Sequence, residues 1–110
     1  MNDTERRWNR AMVAIYKTAK RELRYPANRF LQMLGEHGGV VTAKQLLWSD
    51  KPSDGFTFLW EHRRLELTVE AHILLDEFAS LFSNEDRQRA LDRLERYGWP
   101  NNQGHLPGGK

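Results

Sequence analysis

RFLQMLGEHGGVVTAKQLLWSDKPSDGFTFLWEHRRLEL, residues 29–67, is the stretch that decides the architecture. Phe30, Leu31, Met33 and Leu34 recur at helical spacing and give a helix over 27–37 one apolar side. Gly38-Gly39 stops it, because glycine accepts the positive φ that other residues resist. Val40-Val41 then leads into Thr42, a suitable N-cap for a short helix through Trp48. That helix turns Ala43, Leu46 and Leu47 inward and leaves Lys44 and Gln45 outside. SDKPSDG, residues 49–55, is the strongest turn signal in the chain. A further helix is expected from Ser53 or Asp54 to about residue 64, with Phe56, Leu59, Trp60 and Arg63 along its inner edge.

Working outward, residues 4–24 read as a long first helix. Trp8, Met12, Ile15, Tyr16, Ala19 and Leu23 fall on one face. Asp3 or Thr4 can cap its start, and Tyr25-Pro26 ends it, since the residue before proline is pushed out of helical space. Downstream, residues 65–73 carry two patterns at once. Leu65, Leu67, Val69, Ala71 and Ile73 alternate as a strand does, whereas Ala71, Leu74, Leu75, Phe78, Leu81 and Phe82 repeat as a helix capped by Thr68. The longer pattern favours a short extended lead-in over Leu65–Leu67 and one helix over 69–82. Ser83 with Asp86 has capping-box spacing and opens a last helix, with Leu91, Leu94 and Tyr97 inside and Gly98 closing it. The expected fold is therefore a compact all-α bundle of five or six helices. Residues 1–99 form one domain, led by a basic first helix over 1–24, and 100–110 form a flexible tail.

Composition narrows the class. A length of 110 residues supports one core, and a mean hydropathy of -0.77 marks the chain as polar overall. Four Trp, five Phe and three Tyr supply large apolar area for a small core. Cysteine is absent, which rules out disulfides and thiolate metal sites. MNDTERRWNR is too polar for a signal peptide, and no apolar run reaches membrane-spanning length, so a cytoplasmic location is expected. The net charge of +2 is unevenly spread. Residues 1–30 hold eight Lys/Arg against three acids, residues 31–60 two against three, and residues 61–110 seven against nine.

The candidate functional groups follow from that asymmetry. Lys17, Lys20, Arg21 and Arg24 crowd the end of the first helix and suit phosphate contact. Trp8, Tyr16 and Tyr25 interleave with these bases, but Trp8 and Tyr16 share the apolar stripe with Met12 and Ile15, which places those two in the core rather than against bases. His37, His62, His72 and His105 lack zinc-site pairing, and no metal or other cofactor is expected. His72 and Asp76 read as a surface pair, and Glu66, Glu70, Asp76 and Glu77 as a solvated helix face. No phosphate loop or nucleophile elbow accompanies them, so no enzyme is expected. Phe56, Phe58 and Trp60 cannot all point inward from one helix. Phe58 beside Trp48 or Trp99 is thus a candidate contact for a protein partner.

The order helix, tight turn, helix, turn, helix resembles helix-turn-helix and winged-helix modules. That resemblance implies that the helix over 53–64 enters the major groove, with Ser53, Thr57 and Arg64 toward the groove and Lys44, outside on the helix before it, as a further nucleic-acid contact. Asp54 and Glu61 on the same helix oppose a phosphate-lined groove, and only one possible strand is present to build a wing. HGG-x-x-TAK-x-LL, then GF-x-x-LWE, RL-x-LT-x-E and RL-x-x-YG, also resembles a small helical domain found in many uncharacterised bacterial proteins. The match covers residues 25–98 and implies a discrete helical domain, with no activity or site residues to carry over. Two functions are expected to compete: a non-enzymatic nucleic-acid-binding module, and a protein-interaction module such as an adaptor or inhibitor.

Overall fold

The structure, a computed structural model, describes residues 1–100; the expected tail beyond Pro100 lies outside them. Its elements in order are α1 (Asp3–Leu23), α2 (Asn28–His37), α3 (Gly39–Leu47), α4 (Asp54–Glu61), a 3₁₀ turn over Leu65–Leu67, α5 (Val69–Ile73), a second 3₁₀ segment over Asp76–Leu81, and α6 (Asn84–Arg96). No strand occurs among the described residues. The all-α expectation is met.

α1 is closed by a capping box one residue earlier than expected. Asn2 Oδ1 accepts from the Glu5 N–H at 2.8 Å, and Glu5 Oε1 accepts from the Asn2 N–H at 3.1 Å. Its buried face is Trp8, Met12, Ile15 and Ala19. Trp8, fully buried, meets Phe78 and Phe82 edge-on at centroid distances of 5.0 and 4.9 Å. Around this aromatic knot pack Ala43 and Leu47 of α3, Val69 and Ile73 of α5, and Ala90 of α6. Burying one such indole stabilises the fold by about 4–6 kcal/mol at ~25 cal/mol per Å². A second cluster, Phe56, Leu65, Ala71 and Leu94, is sealed by Leu74, Tyr97 and Trp99.

α3 starts at Gly39, three residues before the expected cap at Thr42. The acceptor comes from elsewhere in the chain: Asn9 Oδ1 of α1 accepts from the Gly39 N–H at 3.0 Å. A Cβ on Gly39 would lie 2.9 Å from Trp8 Cδ1 and collide with the Asn9 side chain, so only glycine lets the two helices approach. Gly38, at φ +80°, makes the turn itself. Thr42 is left fully buried inside the helix.

Three other expectations are corrected. α4 is capped by Ser53, as read, but ends at Glu61 rather than near Arg64. Arg63 adopts φ 60°, with the Arg63 N–H donating to Trp60 O and the Arg64 N–H to Leu59 O, the paired bonds of a Schellman ending. Leu65–Leu67 is a 3₁₀ turn, not an extended segment. The single helix over 69–82 is broken at Leu74 and Leu75, where Leu75 is extended and exposed. The carbonyl of Leu74 freed there is taken by Arg87 Nη2 at 2.9 Å.

Glu70, expected on a solvated face, is 3% exposed, and Val69, Ala71 and Ile73 beside it on α5 are also buried. Arg93 Nη1 donates to its Oε2 at 3.0 Å and also to Leu46 O at 3.1 Å, while Nη2 reaches Ser49 O at 2.8 Å. Arg89 adds bonds to Leu47 O and Ser49 O. Two arginines of α6 thus satisfy the carbonyls that α3 leaves open at its C-terminus.

Candidate nucleic-acid interface

α1 presents opposite faces to opposite environments. Turned away from Trp8, Met12, Ile15 and Ala19 are Arg6, Arg10, Lys17, Lys20 and Arg21, all exposed, with Arg24 at the cap. At 3.6 residues per turn, Arg6, Arg10 and Lys17 fall within about 40° of one another, and Lys20 and Arg21 flank them on either side. The row from Arg6 to Arg21 is about 22 Å long at ~1.5 Å per residue. Among the described residues Arg21 alone of the six has an ion pair, to Glu22 at 3.2 Å. Lys20 sits over the Tyr16 ring at 5.9 Å. Arg7 lies off the row and is bound to Asp3 and Glu77.

Arg6 and Arg10 extend the row named from the sequence. Their signal was the step of four from Arg6 to Arg10, continued seven residues on at Lys17. Val13 is the apolar residue within the row, and it is 37% exposed. A solvated cationic face in which five of six cations have no ion pair among the described residues keeps its potential available to an outside anion.

The residues expected at a groove are placed differently. The Ser53 hydroxyl accepts from the Phe56 N–H at 3.1 Å and is occupied as a cap. Thr57 is half-buried. Arg64 is held by Glu66 Oε2 at 2.6 Å and Glu22 Oε1 at 3.0 Å. Those bonds raise the guanidinium further above its ordinary range, and Arg64 and then Arg21 hold the Glu22 carboxyl below its own. Lys44 Nζ stands 3.9 Å from Asp86 Oδ2. Ser53, Arg64 and Lys44 are thus each engaged within the fold, and the Glu22–Arg64 bridge ties the end of α1 to the segment after α4.

The expected protein-contact residues also separate. Phe58 is half-buried, stacked on Tyr25 at 4.2 Å and His62 at 4.0 Å, so the α1–α2 linker covers it. Trp99 is half-buried against the second cluster. Trp48 is 49% exposed. It is nonetheless fixed: its Nε1–H donates to Asp86 Oδ1 at 2.8 Å, and the Arg89 guanidinium lies 4.7 Å from its ring. Partial burial opposes the Asp86 charge, but Trp48, the Ser83 N–H and hydroxyl, and Lys44 together hold that carboxyl below its usual range. Trp60, 42% exposed and edge-on to Tyr97 at 5.1 Å, is an exposed aromatic that had been assigned to the inner edge.

His72 and Asp76 are not paired with each other: His72 Nδ1 is 2.8 Å from Thr68 O, and Asp76 Oδ1 is 3.8 Å from Arg87. Among the described residues no group of three His, Asp or Glu side chains is placed to hold a metal ion, and no helix is long and apolar enough to cross a membrane. The chain matches no protein-family model, no curated protein and no solved structure.

Proposed function

We propose that the chain is a non-enzymatic nucleic-acid-binding module that grips the phosphate backbone through the outer face of α1. The observation that carries this reading is the exposed row Arg6, Arg10, Lys17, Lys20, Arg21 and Arg24, with one ion pair among six cations. Its length matches roughly six base pairs at ~3.4 Å each. α2 and α3 pack against this arm, and the helix-turn-helix-like order they make with α4 supplies little groove chemistry. α4 carries exposed Asp54 and Glu61, and Arg64 is neutralised by two glutamates. Contact is therefore to phosphate more than to base edges, which makes binding sequence-independent.

Fluorescence anisotropy with random duplex and single-stranded DNA at two salt concentrations tests the reading. Six neutralised phosphates give a log-log salt slope of up to about -5 on duplex. Charge reversal of Lys17, Lys20, Arg21 and Arg24 to Glu removes most of the affinity. Salt-independent binding, or affinity that survives reversal, overturns it.

A protein-interaction module is the second reading, and Trp48 favours it. An exposed indole held at its N–H and on its face is already ordered, so a partner meets little entropic cost there. Trp48→Ala weakens capture of such a partner and leaves DNA affinity unchanged; the α1 reversal does the opposite.

A further inference from the structure

A cleft of about 460 Å³ opens between the second half of α1, α2, and the N-terminus of α4. Protein interiors tolerate few voids much larger than a water molecule, whereas small-molecule sites occupy ~300–1,000 Å³. Its walls are Ile15, Phe30, Met33, Leu46, Phe56 and Val69. The α2 wall is itself unfinished. Phe30, Met33 and Leu34 lie on its inner side, yet none of the ten residues of α2 is fully buried. α2 is also bounded by left-handed backbone on both sides, at Arg24 and Ala27 before it and Gly38 after it, and no side chain caps its start. An apolar face that stays half-covered above an open volume has room for an apolar body beneath it.

Charge at the mouth selects the head group. Arg29 and Lys51 both line the cleft, both are exposed, and neither has an ion pair among the described residues. Asp54 is the one exposed acid in the lining. Glu70, at the inner end, is answered by Arg93 at 3.0 Å. Two unpaired cations against one exposed acid favour an anion. We infer that the cleft between α1, α2 and α4 binds a medium-chain acyl carboxylate, its chain against Phe30, Met33 and Leu46 and its head toward Arg29 and Lys51. This inference stands apart from the nucleic-acid reading, since none of these residues belongs to the exposed row on α1.

Isothermal titration of the full chain with decanoate, and with decanol as its neutral counterpart, tests it. Decanoate binds one to one, and decanol binds at least about tenfold more weakly, the worth of one charge-assisted contact. Met33→Trp and Gly55→Leu fill the cleft from opposite walls; a Cβ at Gly55 meets nothing closer than 3.8 Å. Each lowers decanoate affinity by about tenfold or more. Circular-dichroism melts report whether each variant folds, and a variant that does not leaves the other to decide. Arg29→Glu with Lys51→Glu weakens decanoate and leaves decanol unchanged. The inference is overturned by no binding to the wild type, by equal affinity for both probes, by uptake of several molecules per chain, or by affinity that a folded filling variant leaves unchanged.

Discussion

Replacing Arg93 by methionine removes three hydrogen bonds and a buried positive charge while keeping most of the side-chain volume. Glu70 is then left 3% exposed with its charge uncompensated, and Leu46 O loses the Arg93 donor. Ser49 O keeps Arg89 Nη2 at 3.0 Å and Leu47 O keeps Arg89 Nε at 2.6 Å, so the damage is confined to one carbonyl and one carboxylate. An orphaned carbonyl costs about 1–3 kcal/mol, and breaking a buried ion pair costs about 3–5 kcal/mol in total. That is a large part of the ~5–15 kcal/mol available to a domain of this size. Glu70→Gln is milder, about 1–2 kcal/mol, because Arg93 retains its two carbonyl acceptors and the amide oxygen can still accept. The double variant Glu70→Leu with Arg93→Met is less destabilised than Arg93→Met alone, since no charge remains buried. Urea unfolding followed by tryptophan fluorescence measures all three. A cost for Arg93→Met below about 1 kcal/mol, or one smaller than that of Glu70→Gln, refutes this account of the network.

Gly39→Ala drives a methyl against Trp8 and Asn9 and costs about 1–3 kcal/mol, while Gly35→Ala, with nothing within 4 Å of its new Cβ, stabilises by about 0.5–1 kcal/mol; thermal melts separate the two. Asp86 has its carboxyl held below the usual range, so its stabilising effect is fully present above the unfolded-state value and is lost as pH falls through the folded-state value. The stability gap between wild type and Asp86→Asn is therefore constant near neutrality and closes in acid below the ordinary carboxylate range, as denaturant midpoints across pH will register. Burial raises the Glu70 carboxyl despite Arg93, so its own contribution runs the other way and grows more favourable as pH falls from the folded-state value toward the unfolded one. Arg6→Glu with Arg10→Glu lowers DNA affinity and reduces the salt slope by about 2, read by anisotropy across a salt series; an unchanged slope removes these residues from the interface.

Where a local signal acts locally, the sequence was enough to read. Ser53 and Ser83 cap the helices they precede, and the Trp8–Met12–Ile15–Ala19 stripe is the buried face of α1. The misreadings share a cause: the deciding partner is distant in the chain. Thr42 resembled a cap, but the acceptor at the start of α3 is Asn9, thirty residues before Gly39. Glu70 resembled a surface acid because Arg93 reaches it from α6. Phe58 looked uncovered because Tyr25, from a linker, stacks on it. The break at Leu74–Leu75 was invisible because residues 69–82 satisfy a helical period whether or not the helix continues. Of the candidate interface, the bases on α1 were legible through their spacing alone, whereas the bridges that occupy Arg64 were not. The cleft under α2 has no sequence signal, being a volume left between helices.

α3 is finished at both ends by other helices. Asn9 of α1 meets its first amide, and Arg89 and Arg93 of α6 hold its last carbonyls. A helix of nine residues is far too short to persist alone in water, and side chains of two other helices complete its ends. It is a keystone whose supports come from nearly opposite ends of the described chain. Freeing α3 therefore means parting it from both α1 and α6, so the protection of its amides is expected to report the opening of the whole domain rather than local fraying.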